Sequence, residues 1–493
     1  MKILRVLLVS TLFVTLALPT SAATTYTYKP ATPQSQSDWY SADWKYRVKI
    51  TVNHEQVGEE VTDFPMLVKI TNNQKLFKNA KQDGHDLVFT SSDGITKLDH
   101  EVEAYNADNQ ELISWVKVPK LSVTEDTVLY AYYGNPTSED QQKPTNVWGS
   151  YGAVYHLNNN PETRIVDSTK GGIHGTAGGG MNKNDSLRTG KIGDTLRFDG
   201  SNDYVQLPNT DNVAPGDKPL TVSSWIRSDG TTGTTQTIYW DSIGNLGNNP
   251  HVALYVLDDG TLLSSVRDAN ANNLNIIAGS NLKGDNMWHH VVMVVNNKQM
   301  NLYLDGRNIG SATNASLNAL NTASAGVQSI GVAHSSGSLA AFFRGSISDT
   351  RVSLNAHSGG WIKTEHNNQN DPESFYTVST EQARTISTLS NTVFTTPVYT
   401  YTTLTSFTEK AIKNTGTILY QLSPDNGKTW YYRKNNHDWT KTIKTTDGNP
   451  AWAINTGIAH LPVGTGKLKI RAYLKPKNEK PVSLEQLQVG YTK

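Results

Sequence analysis

Three groups of side chains in this chain of 493 residues have types and spacings that could carry chemistry. Asp99, Glu101 and Glu103 alternate with Leu98, His100 and Val102, so on a strand the three carboxylates share one face. Paired carboxylates are the acid and base of glycoside hydrolysis. Nothing beside them reads as a cleft, however, and the expectation is a solvated strand face without catalysis. The second group lies in TIYWDSIGNLGNNPHVALYV, residues 237–256, which holds Tyr239, Trp240, Asp241, His251 and Tyr255, with Arg267 and Asn273 on the next strand and loop. Saccharides are held by aromatic faces and by planar polar groups that satisfy hydroxyls, so these seven are the candidate ligand-binding residues. The competing reading is that the aromatics fill a core. The third group is His289 and His290, which as neighbours on a strand point to opposite faces and cannot chelate one ion together. They are read as scaffold.

The element around those histidines, WHHVVMVVNNKQMNLYLDG (Trp288 to Gly306), is expected to be a β-hairpin at the centre of a sandwich. Val291 to Val295 is apolar on both faces, which suits a strand whose second face is also covered by protein or forms the floor of a groove. After a polar turn from Asn296 to Gln299, Met300, Leu302 and Leu304 face one way and Asn301, Tyr303 and Asp305 the other.

The length predicts about three domains at ~150 residues each. Lys plus Arg equals Asp plus Glu at 44 each, and Lys2 and Arg5 fall in a segment expected to be removed, leaving 42 against 44. That balance argues against nucleic-acid or membrane-surface binding through net charge, while local patches stay open. Residues 1–23 have the three-part layout of a secretory signal peptide, with cleavage expected after Ala22 or Ala23. No later stretch reaches the ~18 apolar residues of a membrane helix, so no transmembrane segment is expected after cleavage. The chain has no cysteine, which excludes disulfides and thiolate metal sites. The expectation is an exported bacterial envelope protein, periplasmic, on the cell surface or secreted.

In chain order, residues 24–38 read as a polar leader. Residues 39–147 carry short strands between Gly, Pro, Asn and Asp turns, which indicates a β-sandwich. Their motifs DLVFTSSDG, LDHEVEAYN, LISWVKVPKL and LYAYYGNP resemble domain of unknown function 2341, which implies an extracytoplasmic β-domain with no assigned chemistry. Residues 148–380, through FDGSNDYV, WHHV, LYLDG and GSISDTRV, resemble the laminin-G-like jelly roll of the concanavalin A-like lectin fold. That resemblance implies a fold and leaves function open. The segment Trp361 to Val378 resembles the tail that follows such a jelly roll when it is paired with the first module, so the two are expected to form one unit, with a short helix over Trp361 to Asn367. A Thr- and Ser-rich linker at 381–392 leads to a last β-sandwich at 393–493, which resembles jelly-roll modules of large bacterial surface proteins. The fold class is therefore all-β, as multiple sandwiches around a central jelly roll.

The resemblances also bear on chemistry. Jelly rolls of this kind often hold a structural calcium ion, for which Asp167 and Asp349 are the candidate ligands here; Ser348 and Asp349 stand where an acidic pair is usual, which removes one ligand. Ser423, Asp425, Gly427, Thr429 and Trp430 match the Asp-box of sialidases, read here as a structural turn. No strand of Trp148 to Val378 carries the ExDxxE of concanavalin-like glycosidases, and no GxSxG elbow supports a serine triad. The expectation is a non-catalytic binding protein whose partner is a glycan or a cell-envelope protein. Its rival is a structural module of an envelope assembly, such as the exported part of an ExbB or TolQ type system. A glycoside hydrolase or sialidase ranks below both.

Overall fold

A computed structural model describes residues 24–29, 39–208, 219–230, 233–243, 249–279, 281–282, 284–320, 322, 327–335, 338–384, 392–435, 438–475 and 482–492. The expected signal segment, residues 30–38 of the leader and residues 385–391 of the linker lie outside the described residues. The architecture is all-β, with antiparallel sheets and short helices. Two compact units divide the chain, Trp39–Arg384 and a second in which the N-terminal segment through Asp38 joins Thr385–Lys493.

In the larger unit the first module is a sandwich. One sheet runs Tyr376–Val378, Tyr46–Val52, Thr127–Tyr133, Val88–Thr90, Lys97–Leu98; the other runs Val61–Thr71, Glu111–Leu121, His100–Asn106. Alternate residues of these strands, among them Val48, Ile50, Met66, Val68, Leu112 and Val116, meet in one core. Tyr376–Val378 comes from beyond the jelly roll and pairs antiparallel with Tyr46–Val52, so the first module closes only when the chain returns to it.

The jelly roll packs two larger sheets face to face. Its hairpin pairs His289–Asn296 with Gln299–Leu304, from Val291 opposite Leu304 to Asn296 opposite Gln299. The two-residue turn has Asn297 at φ 54°, the left-handed conformation that asparagine tolerates in tight hairpins. Val291, Met293, Val295, Met300, Leu302 and Leu304 enter the central core. The reverse face is covered too, because Val292, Val294 and Tyr303 pack on Ile362 of the helix Gly359–Asn370. Ser358 caps that helix by accepting from the Trp361 amide, and Asp371 before Pro372 ends it.

The returning tail also protects an edge strand. Val61–Thr71 lies at the rim of its sheet, where unpaired backbone groups are a liability. Asn368 accepts from the Leu67 amide at 2.7 Å and donates to the Leu67 carbonyl at 3.0 Å. The Tyr376 hydroxyl accepts from the Lys69 amide at 2.6 Å and donates to its carbonyl at 2.9 Å. Two side chains thus stand in for a missing strand.

The second unit pairs Thr24–Tyr28 with Ser483–Thr492, which in turn pairs with Thr403–Ile412. A second sheet is built on Lys467–Lys475, flanked by Thr392–Thr395 and Thr417–Ser423 and extended by Trp430–Lys434 and Asp438–Thr442. Its core includes Leu404, Phe407, Tyr420, Leu422, Leu468 and Ile470.

Asn368→Leu keeps the volume but orphans two buried backbone groups, each worth about 1–3 kcal/mol. Urea unfolding of the variant is expected to show a loss of at least about 2 kcal/mol, and a loss below about 0.5 kcal/mol would mean the rim needs no such cover.

Candidate functional site

The carboxylates singled out by their spacing do share a face, but that face is not solvated. Glu101 and Glu103, on His100–Asn106, are buried against the jelly roll around His156, which follows Tyr151–Tyr155. His156 Nδ1 lies 2.8 Å from Asp349 Oδ1 and 3.5 Å from Glu103 Oε2, and its Nε2 lies 3.3 Å from Glu101 Oε2. Alternation tells which side chains share a face, and the elements that cover this one come from distant parts of the sequence. Trp148 Nε1 donates to Glu101 at 2.5 Å, Ser168 Oγ to Glu101 at 2.6 Å, and Trp115 Nε1 to Glu103 at 2.7 Å. Asp99 stays at the margin and accepts from Asn146.

The network continues inward. Arg351 donates to Asp349 and, at 2.9 Å, to Glu365 of the helix Gly359–Asn370. Its guanidinium lies over Trp115 at 4.2 Å and over Trp148 at 4.9 Å. Asp349 reaches this position because the strand Arg344–Ser353 bulges opposite Ser223 to Trp225, with Asp349 at φ 55°. Four carboxylates therefore surround two cations out of water. Burial works against charge on His156, yet Glu103, Glu101 and Asp349 hold its pKa well above the ordinary value. Burial would raise Glu101, but the His156 charge and the hydrogen bonds from His156, Ser168 and Trp148 keep it low. Glu103 and Glu365 are pushed up by burial in spite of the cations beside them.

The two candidate calcium ligands do not fit a cation. Asp167 Oδ1 accepts from the Val154 and Thr169 amides, and Oδ2 from the Thr169 hydroxyl and the Ile173 amide, so each oxygen already takes two donors. Asp349 faces Arg351 and His156, both cationic. Among the described residues no group of three His, Asp or Glu side chains is arranged to hold a metal ion.

The seven candidate ligand residues divide by strand alternation. Tyr239 enters the central core, and Asp241 is buried, accepts from Thr322 Oγ1 at 2.9 Å and is pushed up to about 7 by burial. Trp240, His251, Tyr255, Arg267 and Asn273 lie on the opposite, outer face of the same sheet. There Trp240 is fully covered, packed with Ala253, Tyr255 and Ala333 and stacked on His251 at 5.6 Å, so its ring supports the face rather than presenting itself. Cross-strand register then sets three rows over His251–Val256, Leu262–Arg267 and Asn273–Ala278: His251, Arg267 and Asn273; Ala253, Ser265 and Asn275; Tyr255, Leu263 and Ile277. His251 Nε2 and Ser265 Oγ are 2.8 Å apart, while Asn273 and Asn275 are exposed and Ile277 is 64% exposed. A row of three hydrogen-bonding side chains and a second that holds Ser265 and Asn275 thus lie beside an apolar row. Ser265, Asn275 and Ile277 were not among the candidates, although the alternation of LLSSVR and NLNIIA carries the signal.

His289 is held between Asp285 and Asp305, 2.8 Å from each, and these hydrogen bonds raise its pKa; His290 is buried and pushed down to about 3. The Asp-box pattern forms a turn. Ser423 Oγ donates to Asp425 and accepts from the Gly427 amide, the Thr429 amide donates to Asp425, and Gly427 has φ 87°.

These features define an all-β chain with a concanavalin A-like jelly roll at its centre. Residues 199–363 match the concanavalin A-like lectin/glucanases superfamily, and residues 83–170 match the domain of unknown function DUF2341. The chain therefore carries a DUF2341 segment followed by a concanavalin A-like domain. No curated protein matches it. Among solved structures, the CBM40 of the Ruminococcus gnavus IT-sialidase bound to α2,3-sialyllactose is 18% identical, with 31% of this chain and 84% of that chain covered and a TM-score of 0.28. Domain 4 of AbnA, a GH43 extracellular arabinanase from Geobacillus stearothermophilus, in complex with arabinotriose, is 20% identical over 44% of this chain and 98% of that one, with a TM-score of 0.33. The binding domain of Paraclostridial Mosquitocidal Protein 1 is 14% identical over 60% and 69%, with a TM-score of 0.36.

Removing one partner of a buried charge cluster costs about 3–5 kcal/mol, so His156→Gln is expected to lose that much stability at neutral pH. The pH dependence follows from the raised pKa of His156. Its contribution is fully present below the ordinary value near 6.5 and is lost as pH rises through the folded value, at up to about 1.4 kcal/mol per pH unit. Glu101, held low, acts in the opposite sense: its contribution is lost as pH falls through its folded value. Urea unfolding between pH 6 and 9 tests the first sign. A wild-type stability that rises across that range, or a variant deficit below about 1 kcal/mol, contradicts this account.

Proposed function

We propose that the jelly roll is a non-catalytic glycan-binding module, that its ligand lies on the outer face formed by His251–Val256, Leu262–Arg267 and Asn273–Ala278, and that the chain works outside the cytoplasm. The observation that carries the reading is the registered pair of rows bearing hydrogen-bonding side chains beside an apolar one. Imidazole, guanidinium, amide and hydroxyl groups suit sugar hydroxyls, and the half-buried Leu263 and exposed Ile277, backed by the covered Tyr255, suit the less polar face of a sugar ring. The superfamily matched by residues 199–363 contains lectins as well as glucanases by its description, which is compatible with this reading. Export rests on the layout of residues 1–23.

Binding is preferred to hydrolysis because the carboxylates best spaced for catalysis, Glu101 and Glu103, are enclosed by Trp148, Trp115, Ser168 and His156. No substrate reaches them without parting the two modules. That enclosure equally suits the rival reading, a structural module of an envelope assembly, in which the fused unit is a rigid spacer.

A glycan array with the full chain separates the two. Retention of a defined glycan class is expected, with Asn273→Ala and Asn275→Ala each weakening it about tenfold, the loss of roughly one hydrogen bond, while the thermal midpoint stays put. Chelator should leave retention unchanged, since the Asp167 oxygens are saturated. A blank array, or retention indifferent to both substitutions, favours the spacer. Release of reducing sugar from any retained glycan overturns the non-catalytic reading.

A further inference from the structure

The zero net charge of the chain hides a division. Residues 393–493 hold 14 Lys and Arg against 6 Asp and Glu, a balance of +8, which leaves 30 against 38 for the rest. Part of this excess is organised by one strand. In Lys467–Lys475, Leu468, Ile470 and Ala472 are buried in the core, so Lys467, Lys469 and Arg471 project together from the opposite face, at a repeat of about 6.8 Å. Arg471 lies over Trp430 at 3.9 Å, and the exposed Lys428 sits in the turn just before that tryptophan.

Among the described residues, no acid of this unit forms an ion pair with the stripe. Glu485 pairs with Lys410 at 2.8 Å, Glu409 pairs with Lys413, and Asp447 accepts from Thr442. Asp425, bridged to Lys467 through the backbone and kept ionised by its hydrogen bonds with Ser423 and Thr429, sets one negative charge beside the four cations without pairing with any of them. Among the described residues, Lys428, Lys467, Lys469 and Arg471 form no ion pair. A ladder on which cations outnumber acids raises the local concentration of an oppositely charged polymer and binds it through counterion release.

We propose that this strand face of the C-terminal unit binds an anionic polysaccharide, a linear chain bearing carboxylate or sulfate groups. An extended strand offers cations at a regular repeat, which suits a polymer with regularly spaced charges. Single-stranded nucleic acid is the poorer fit, because its binders add open aromatic faces on which bases stack. Here the Trp430 face is taken by Arg471, and Tyr473 is buried. The inference stands apart from the jelly-roll reading, since it concerns another unit and another chemistry.

The test uses the full chain in affinity electrophoresis through gels containing polygalacturonate, dextran sulfate or neutral dextran, at low and raised salt. Retardation by at least one anionic polymer, none by dextran, and release by salt are expected. The triple variant Lys428→Glu, Lys467→Glu, Lys469→Glu should weaken retention at least tenfold and flatten the log–log salt dependence by about three. Lys75→Glu, Lys78→Glu, Lys363→Glu makes the same charge change on exposed residues of the larger unit and should have little effect. Should the first triple fail to fold by circular dichroism, Lys467→Gln alone should still give a partial loss. Three results overturn the proposal: no retardation at low salt, equal loss in both triples, or competition by a thymidine oligonucleotide as strong as that by polygalacturonate.

Discussion

The interaction on which the larger unit depends is the encounter of His156 and Arg351 with four carboxylates out of water. Burying charge is costly, and a buried pair is tolerated only where geometry and further hydrogen bonds make up for lost hydration. Here Trp115, Trp148 and Ser168 donate to the carboxylates, and two indole faces cover the guanidinium. The partners come from both modules and from the returning helix, so the cluster is complete only when all three are in place. That requirement gives the interface a single solution. An apolar contact of equal size could slide by a residue, whereas this one leaves charges unpaired if it does.

Seen this way, the outer face of the jelly roll sits on a fixed support. His251, Ser265, Asn273 and Asn275 gain their relative positions from strand register, and the covered Trp240 and Tyr255 hold the sheet beneath them. Placement by strands is more exact than placement by loops, which matters where hydroxyl groups must be met at fixed spacing.

Periodicity in the sequence carried much of this. The hairpin from Trp288 to Gly306 reads directly as two strands and a tight turn, while its strand apolar on both sides allows either cover or a groove floor on the reverse face, and the fold supplies cover. The Asp-box reads as a turn because its physics is local. What the pattern could not convey is what lies opposite a given face. Glu101 and Glu103 alternate like a solvated strand, yet their partners His156, Trp148, Ser168 and Trp115 arrive through folding, and Asp349, which holds His156 from the other side, arrives by way of a bulge that no period announces. Trp240 looks like a platform in the sequence and is a support in the fold, since only tertiary structure decides whether an aromatic ring is covered. The cation ladder on Lys467–Lys475 was hidden for another reason: averaging charge over the whole chain cancels it.

The strand Tyr376–Val378, laid beside Tyr46–Val52, has a mechanical consequence. The jelly roll is inserted in the first module as a loop is inserted between neighbouring strands. Tension applied between the ends of the larger unit therefore acts first on that pairing, peeling it from the end where Tyr46 faces Ala383, and reaches the inserted domain only once the pairing has parted. A jelly roll mounted in this manner stays slack for as long as that pairing holds, and whatever it binds is shielded from the load until then.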